Sequence, residues 1–250
     1  MRRDWEDRAR TDLLYSIDAQ KRDWNIDDFY ARGPVLVADF VDPILEHLGV
    51  DPSGRRVLEI GCGIGRLFAG LSQRFGDVWG IDISPAMVEQ GRAQCPVKAT
   101  WLVGDGQSLH GIPDASIDHV LSFEVFGHVP DPAIIHSYFL ETWRVLRPEG
   151  TFQIQLRRRS DSIRQSIVRA LPRPLRVATG ALLQASRMSP VPAGDIDTWL
   201  GCLVSPEEAT AFLQSLGFVD LAFFPSGPRS SARRGPRGYW IAGRKPPDTP

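Results

Sequence analysis

A short apolar run followed by three alternating glycines constrains this chain most. Residues 56–60 (Arg-Val-Leu-Glu-Ile) are predicted to form a strand, and glycine stands at positions 61, 63 and 65 directly after it. Glycine allows a tight turn and lets a ligand approach the main chain closely, because no Cβ is in the way. The stretch that extends to about Arg74 predicts a helix after the loop. This strand–loop–helix order indicates an α/β fold with a ligand site at the loop.

The same alternation of strand and helix continues along the chain. Strands that alternate with helices form parallel sheets covered by helices on both faces. The last two apolar runs are joined by a polar loop without a helix, which indicates an antiparallel hairpin. The predicted fold class is therefore α/β, a Rossmann-like, seven-stranded, mostly parallel sheet with a terminal antiparallel hairpin. Its further strands are predicted at residues 77–82, 99–103, 117–122, 151–156, 218–224 and 238–243.

Four segments are expected along the chain. Residues 1–50 are amphipathic and predict an N-terminal helical lid, in which Gly33-Pro34 is expected to break or restart a helix because proline lacks the amide donor. Residues 51–156 form the ligand-binding core. Residues 157–204 depart from the alternation and are predicted as an inserted helical cap. Residues 205–250 complete the core sheet and begin with a capping-box pattern at Ser205.

Charge and cysteine content exclude several classes of protein. The 250 residues carry 29 Lys and Arg against 30 Asp and Glu, a net charge of -1, which argues against a generally basic nucleic-acid coat protein or an acidic tail. Three widely spaced cysteines fit neither a disulfide framework nor a zinc site, and no metal is predicted. No apolar run approaches the ~20 residues of a membrane span. No apolar segment follows the basic N-terminal residues as in a signal peptide, so a cytoplasmic protein is expected.

The positive charge is unevenly distributed, however. Arg157–Arg187 contains eight arginines and one aspartate, and Arg229–Lys245 contains six basic residues and no acid. These two segments could contact an anionic substrate, a phospholipid surface or a partner. The alternative is that arginine simply replaces lysine on solvated helix faces. The sequence assigns no oligomeric state.

Three carboxylates stand at the ends of the first three predicted strands, at Glu59, Asp82 and Asp105. They should converge on one crevice, because ligands bind outside the carboxyl ends of parallel strands. Asp82 could accept both hydroxyls of a ribose, and Asp105 could accept from an adenine amino group. The dinucleotide fingerprint would place its last glycine at position 66, where this chain has Arg66, and Glu59 would repel a diphosphate. An ammonium or sulfonium ligand fits better.

Five segments in this order resemble the motifs of class I S-adenosylmethionine-dependent methyltransferases, and most closely the type 11 group of small-molecule enzymes. Residues 57–65 look like motif I, and residues 80–87 are similar to the ribose-binding segment. Gly104-Asp105-Gly106 resembles the adenine-binding motif. Residues 144–150 resemble the turn into the fifth strand, although Glu149 stands where a second glycine is usual. Residues 205–218 are similar to the last helix and the start of the sixth strand.

The resemblance implies S-adenosyl-L-methionine as cofactor and S-adenosyl-L-homocysteine as product. Motif I would hold the methionine part, with Glu59 and Gly61 at the ammonium and the Cys62, Gly63 and Gly65 backbone passing beneath it. The ribose diol would bind Asp82, and Ile83 and Met87 would flank the adenine. Asp105, in the loop that begins at Gly104, would bind the adenine amino group, and the Gly106 or Gln107 amide a ring nitrogen. The Ser122-Phe123 backbone would face the reactive end of the cofactor.

His128 is the candidate base for removing a proton from the methyl acceptor, because a histidine titrates near neutral pH. The alternative is that His128 packs and holds its loop; Glu124 could orient it or be a solvated acid. The lid and cap offer aromatic residues as candidate lining of the acceptor pocket, or equally as core of these segments. They are Tyr15, Trp24, Phe29, Tyr30 and Trp199.

The acceptor class is narrowed by missing motifs. Ser122-Phe123-Glu124-Val125 after the fourth strand is not the Asn/Asp-Pro-Pro-Tyr/Phe of DNA amino methyltransferases, and no Pro-Cys follows it for cytosine C5 chemistry. The expectation is methyl transfer by in-line displacement to an O, N or C nucleophile of a small molecule. The alternatives are an anionic, lipid-linked or nucleic-acid acceptor, an NAD-linked oxidoreductase, and a non-catalytic cofactor-binding protein. The charge balance argues against nucleic acid.

Overall fold

A computed structural model describes residues 1–11, 13–17, 23–157, 172, 174–175, 201–226 and 238–248, with Tyr15 and Ser16 described by backbone alone. These residues form one seven-stranded sheet with the order β3-β2-β1-β4-β5-β7-β6. Strands β1 to β5 pair in parallel, and β7 runs antiparallel to both β5 and β6. The predicted fold class is therefore confirmed. The strands are β1 Arg56–Ile60, β2 Asp77–Asp82, β3 Thr100–Val103, β4 Ile117–Ser122, β5 Leu146–Arg157, β6 Val219–Pro225 and β7 Gly238–Arg244.

Helices precede the sheet and connect its strands. The N-terminus of one helix is capped at Ser84, whose hydroxyl accepts from the Met87 amide. Another is capped at Ser205, which forms with Glu208 the capping box that the sequence predicts. The described helices are α1 Arg2–Thr11, α2 Leu13–Ile17, α3 Ile26–Phe40, α4 Asp42–His47, α5 Phe68–Ser72, α6 Pro85–Gln94, α7 Pro132–Val145 and α8 Pro206–Ser215, with a 3₁₀ turn at Phe126–His128.

The prediction that Gly33-Pro34 breaks a helix is wrong. Helix α3 continues through both residues and ends only at Val41. A Cβ at position 33 would lie 2.0 Å from the carbonyl oxygen of Arg66, so glycine is needed for α3 to cross the exit of the glycine loop. Proline costs the helix a hydrogen bond, but burial of one face of α3 outweighs this local penalty.

Both faces of the sheet are buried. Along β1, the Val57 side chain joins one apolar cluster with Leu121 and Trp240, and the next side chain, Leu58, joins another with Val120. Successive side chains of a strand point to opposite faces, so this alternation places a core on each side of the sheet. A third cluster ties the lid to the glycine loop and α6. It contains Ala9, Phe29, Tyr30, Ile64 and Met87.

Near its start, β5 carries Glu149, the residue that departs from the motif this segment resembles. Glu149 adopts a φ of 63°, in the left-handed region that favours glycine. Its amide donates to the Lys245 carbonyl at 3.0 Å, and the Lys245 amide in turn donates to Gly150 at 2.8 Å. The contact with the chain after β7 therefore holds a conformation that glycine would adopt at lower cost.

No helix within the described ranges is long and apolar enough to cross a membrane. Most of the two arginine-rich segments, and Trp199, lie outside the described residues. At the end of the second segment, Lys245 Nζ donates to the Trp143 and Leu146 carbonyls at 2.8 and 2.9 Å. Arg244 donates to the Leu48 carbonyl and lies 3.4 Å from Asp220. These two charges are thus engaged within the fold.

Candidate functional site

The glycine loop after β1 makes the tight turn that the sequence predicts. Gly61, Gly63 and Gly65 all adopt positive φ, at 73°, 53° and 81°. A Cβ at Gly61 would lie 2.3 Å from the Val125 side chain, so this glycine is needed for close approach as well as for the turn. The glycine loop therefore packs against the segment that follows β4. Cys62, between the glycines, is buried.

Asp82 lies at the end of β2, and its carboxylate binds the backbone of the glycine loop. Its Oδ2 accepts from the Gly63 amide at 2.8 Å, and its Oδ1 accepts from the Ser84 amide at 2.9 Å. Burial raises the pKa of Asp82, although these hydrogen bonds oppose the shift. A carboxylate has about four lone-pair sites. A backbone hydrogen bond from Ile83 also acts on this carboxylate, so at least one lone-pair site remains for a further donor such as a hydroxyl group.

Glu59 is the most unusual ionisable group of the site. Only 4% of the residue is exposed, and no donor among the described residues satisfies its Oε2. Burial raises its pKa to about 8, the charge of Arg66 lowers it and that of Asp82 raises it. A buried carboxylate oxygen without a hydrogen bond is costly, and a cationic ligand would remove that cost. The residues of this loop thus fit a ligand that carries an ammonium group.

Sequence reasoning used Arg66 only as an argument against a dinucleotide. In the structure it is 6% exposed, and its Nη2 lies 2.9 Å from Glu124 Oε2. Its guanidinium lies over the rings of Phe123 and Phe29, at 5.4 and 6.0 Å from their centroids. An arginine placed among apolar residues directly after the glycines was the signal that could have drawn attention to it.

The ends of β2 and β3 meet at the other side of the crevice. The Gly104 amide donates to the Asp82 carbonyl at 2.8 Å, and the Ile83 side chain lies where a Cβ at Gly106 would stand. Asp105 is exposed and accepts from the Gln107 amide at 2.8 Å and from Ser108. Partial burial raises the pKa of Asp105, but these hydrogen bonds outweigh it and leave that pKa below its usual value.

The segment after β4 carries the candidate catalytic residues. The Ser122 hydroxyl donates to the Ile60 carbonyl at 3.0 Å, and the Phe123 ring stacks on Trp240 with 5.4 Å between centroids. Glu124 adopts a φ of 59°, and its amide donates to Gln155 Oε1 at 2.9 Å. His128 ends the following 3₁₀ turn, and its amide donates to the Val125 carbonyl at 2.9 Å.

Helix α1 binds the ends of β2 and β3 and the start of α6, which sequence reasoning did not anticipate. Arg2 donates to the carbonyls of Ile83 and Gly104 at 3.1 and 2.6 Å. Glu6 accepts from the Ser84 hydroxyl at 2.7 Å and from the Ala86 amide at 3.2 Å. The hydrogen bond from Ser84 is the main cause that lowers the pKa of Glu6. A basic and an acidic residue four apart at the start of a helix were the only local signal.

The aromatic residues proposed for the acceptor pocket fall into different environments. Phe29 is fully buried, and the Tyr30 hydroxyl donates to the Ile64 carbonyl of the glycine loop at 3.0 Å. Trp24 is half-buried and meets Phe29 edge-on at 6.0 Å. The Tyr15 side chain and Trp199 lie outside the described residues. Phe29 and Tyr30 thus pack the lid onto the glycine loop, and a role in binding an acceptor stays a prediction.

Metal ligands do not gather in the part of the chain that the structure describes. No group of three or more His, Cys, Asp or Glu side chains there could hold an ion.

A mostly parallel sheet of this strand order, with a glycine loop after β1 and carboxylates at the ends of β1, β2 and β3, is typical of class I S-adenosylmethionine-dependent methyltransferases. Residues 58–154 match the profile of a family described as a methyltransferase domain, the type 11 group. The match over these residues confirms the resemblance to methyltransferases that was drawn from the motifs.

Two curated relatives align with less than half of this chain. One is 2-methyl-6-phytyl-1,4-hydroquinone methyltransferase of Synechocystis sp., 38% identical over 117 residues, which are 45% of this chain and 36% of that protein. Another is ubiquinone biosynthesis O-methyltransferase of Xanthomonas axonopodis pv. citri, 32% identical over 111 residues, 42% of this chain and 46% of that protein. The chain thus aligns with less than half the length of each.

A solved structure shows the same fold over nearly the whole chain. Phosphoethanolamine N-methyltransferase 2 of Haemonchus contortus in complex with S-adenosyl-L-methionine superposes with a TM-score of 0.59 at 16% identity, covering 97% of this chain and 60% of that one. At this identity the likeness concerns the fold alone.

Proposed function

We propose that the protein is an S-adenosyl-L-methionine-dependent methyltransferase that moves a methyl group by in-line displacement to an O, N or C nucleophile of a small molecule. The observation that carries the proposal is the orphaned, buried Oε2 of Glu59 beneath the glycine loop. A diphosphate offers no hydrogen-bond donor to this buried oxygen, whereas the ammonium of a methionine moiety would satisfy it. The NAD-linked alternative is correspondingly disfavoured.

Different residues of the crevice would bind different parts of the cofactor. Glu59 and the Gly61 backbone would hold the amino-acid end, and the backbone of Gly63 and Gly65 would pass beneath it. Asp82 would accept from the ribose hydroxyls with the lone-pair capacity that its backbone donors leave. Ile83 and Met87 would flank the adenine. Asp105 and the amides of Gly106 and Gln107 would bind its polar edge.

When bound, S-adenosyl-L-methionine supplies a methyl group on a positively charged sulfur, an electrophile with a good leaving group. The chain's own residues would orient the acceptor, exclude water and take up a proton. An imidazole nitrogen of His128 is the proposed acceptor of that proton. Glu124 would act through its ion pair with Arg66, which fixes the start of the segment that carries His128.

The acceptor is proposed to be a small molecule. The two relatives named above act, by their names, on a hydroquinone and in ubiquinone biosynthesis, which supports a small aromatic acceptor. An anionic or lipid-linked acceptor that meets the arginine-rich segments stays a second candidate, because 157–187 alone holds eight arginines. A cytoplasmic location remains a prediction.

Incubation with isotopically labelled cofactor tests the proposal. The protein is mixed with S-adenosyl-L-methionine that carries a heavy methyl group and with a small-molecule extract. A labelled product whose mass exceeds its precursor by one labelled methyl, and which an Asp82→Asn variant does not form, is expected. Absence of any labelled product across aromatic, amine and anionic fractions would contradict it.

A further inference from the structure

Arg66 is a buried cation whose charge acts on carboxylates of two different elements. One is Glu59 on β1, whose ionised form the charge of Arg66 favours. The other is Glu124, directly after β4, whose Oε2 is 2.9 Å from Arg66 Nη2. Glu59 belongs to the end of the crevice proposed for the methionine part, and Glu124 begins the segment that leads to His128.

The surroundings of Glu59 make Arg66 important for its charge. Burial disfavours the ionised form most, and the charge of Asp82 on β2 adds to this. The thiols of Cys62, in the glycine loop, and Cys95, at the end of α6, also interact with Glu59, and its charge raises their pKa values. Arg66 is the cation that acts against burial and Asp82. Its removal would therefore leave the Glu59 carboxyl harder to ionise.

The backbone of Glu124 also needs support. Its φ of 59° is unusual for a residue with a side chain and costs free energy. Two contacts hold it: its amide donates to Gln155 Oε1 on β5, and its carboxylate pairs with Arg66. The Phe123 ring beneath the guanidinium, 5.4 Å from it, fixes the neighbouring residue. Arg66 thus anchors the start of the candidate catalytic segment.

We infer that Arg66 is a positioning residue that couples the two halves of the site: it favours the ionised form of Glu59 at the amino-acid end of the cofactor and holds Glu124 at the start of the acceptor segment. The inference rests on the proposed function, because it needs a ligand with an ammonium group at Glu59. A lysine at this position would keep a positive charge near Glu59 but would lack the planar guanidinium that pairs with Glu124 and lies over the Phe123 ring.

Binding of S-adenosyl-L-homocysteine, followed by calorimetry, tests the Glu59 half. Because Glu59 has a pKa of about 8 in the free protein, ligand binding at pH 7 should release a proton, which titrations in buffers of different ionisation enthalpy measure. Arg66→Gln should weaken binding about tenfold or more and move the pH range of proton release upward. Arg66→Lys and Glu124→Gln keep a cation and should not move it upward.

Hydrogen exchange of the amides from Val125 to His128 tests the Glu124 half. Arg66→Gln and Glu124→Gln should each accelerate exchange there about tenfold, and the double variant should add little, because both remove the same ion pair. Glu124 is about half exposed, so its variant is expected to fold even if Arg66→Gln does not. The exchange rate in Arg66→Lys should be intermediate between those of the wild type and Arg66→Gln.

The outcomes separate the inference from the proposed function. Wild-type protein that binds no S-adenosyl-L-homocysteine overturns both. Wild-type binding together with an unshifted proton-release profile in Arg66→Gln overturns the inference alone. The inference alone is also overturned if amide exchange in Glu124→Gln equals that of the wild type. It is overturned as well if the accelerations of the two single variants add in the double variant.

Discussion

The ring of Trp5 meets the ring of His128 edge-on, with 5.5 Å between the two centroids and 81° between their planes. Trp5 lies on α1, whose Arg2 and Glu6 hold the ends of β2 and β3. The lid therefore contacts the candidate base and the proposed nucleoside side of the crevice through one helix. Closure of this helix would orient the imidazole and exclude water together.

Replacement of His128 tests its role as base. His128→Ala should lower the rate of methyl transfer by about 100-fold or more while the affinity for S-adenosyl-L-homocysteine changes little, because general-base catalysis contributes typically 10²–10⁴-fold. His128→Asn, which retains a hydrogen-bonding side chain, should be equally slow if proton transfer matters. Wild-type turnover in both variants would show that His128 only packs its segment.

The glycine loop gives a matched pair of substitutions. Gly61→Ala should destabilise the protein by about 2–4 kcal/mol and abolish cofactor binding, because its φ is 73° and the new Cβ would meet Val125 at 2.3 Å. Gly49→Ala has a similar φ of 63° with nothing within 4 Å, so it should cost only about 1 kcal/mol. Urea denaturation measures both. Equal losses would show that close approach is unimportant at position 61.

Glu59 should make the free protein less stable as the pH rises. Its pKa is raised from 4.5 to about 8 in the folded protein, so the folded state holds a proton that the unfolded state loses between these values. The contribution of Glu59 to the free energy of unfolding is fully present below pH 4.5. It falls by about 1.4 kcal/mol per pH unit up to pH 8. Relative to wild type, Glu59→Gln should therefore become more stable as the pH rises from 5 to 8.

The control for this measurement is Glu89→Gln, the same substitution at an exposed position of α6. Its stability should follow the wild-type pH dependence. Parallel curves for wild type and Glu59→Gln would mean that the Glu59 carboxyl titrates normally, and the account of an orphaned carboxylate would be wrong.

His119 should make the folded protein less stable as the pH falls below neutral. It is fully buried on β4, its Nδ1 lies 2.9 Å from Thr151 Oγ1, and burial lowers its pKa from 6.5 to about 3. The unfolded chain therefore takes up a proton that the folded protein excludes, and stability falls by about 1.4 kcal/mol per pH unit below pH 6.5. His119→Asn should be less stable at pH 7 but should lose less on going to pH 5. A steeper loss than wild type would refute this assignment.

The sequence predicted the sheet well because each strand carries its own signal. Buried runs such as 56–60 and 117–122 stand out locally, and their bounds agree with the structure. Positions such as Gly61 and Asp82 follow from the same local order of strand, loop and helix. The family resemblance was confirmed, whereas the role of each site residue stays a proposal.

Contacts between distant parts of the chain could not be predicted in this way. Arg2 donates to Gly104, 102 residues away, and Arg66 pairs with Glu124, 58 residues away. Position 33 requires a glycine because α3 passes close to the Arg66 carbonyl there. No local sequence pattern reveals this contact. Tertiary packing therefore overrode the helix-breaking signal of Gly33-Pro34.

Calorimetric titration with S-adenosyl-L-homocysteine and, separately, with NAD⁺ tests the central claim most directly. Wild-type protein should bind S-adenosyl-L-homocysteine and not NAD⁺, and Asp82→Asn should weaken that binding at least tenfold, because a charged hydrogen-bond acceptor for the ribose is lost. Tight binding of NAD⁺ without any binding of S-adenosyl-L-homocysteine would contradict the account.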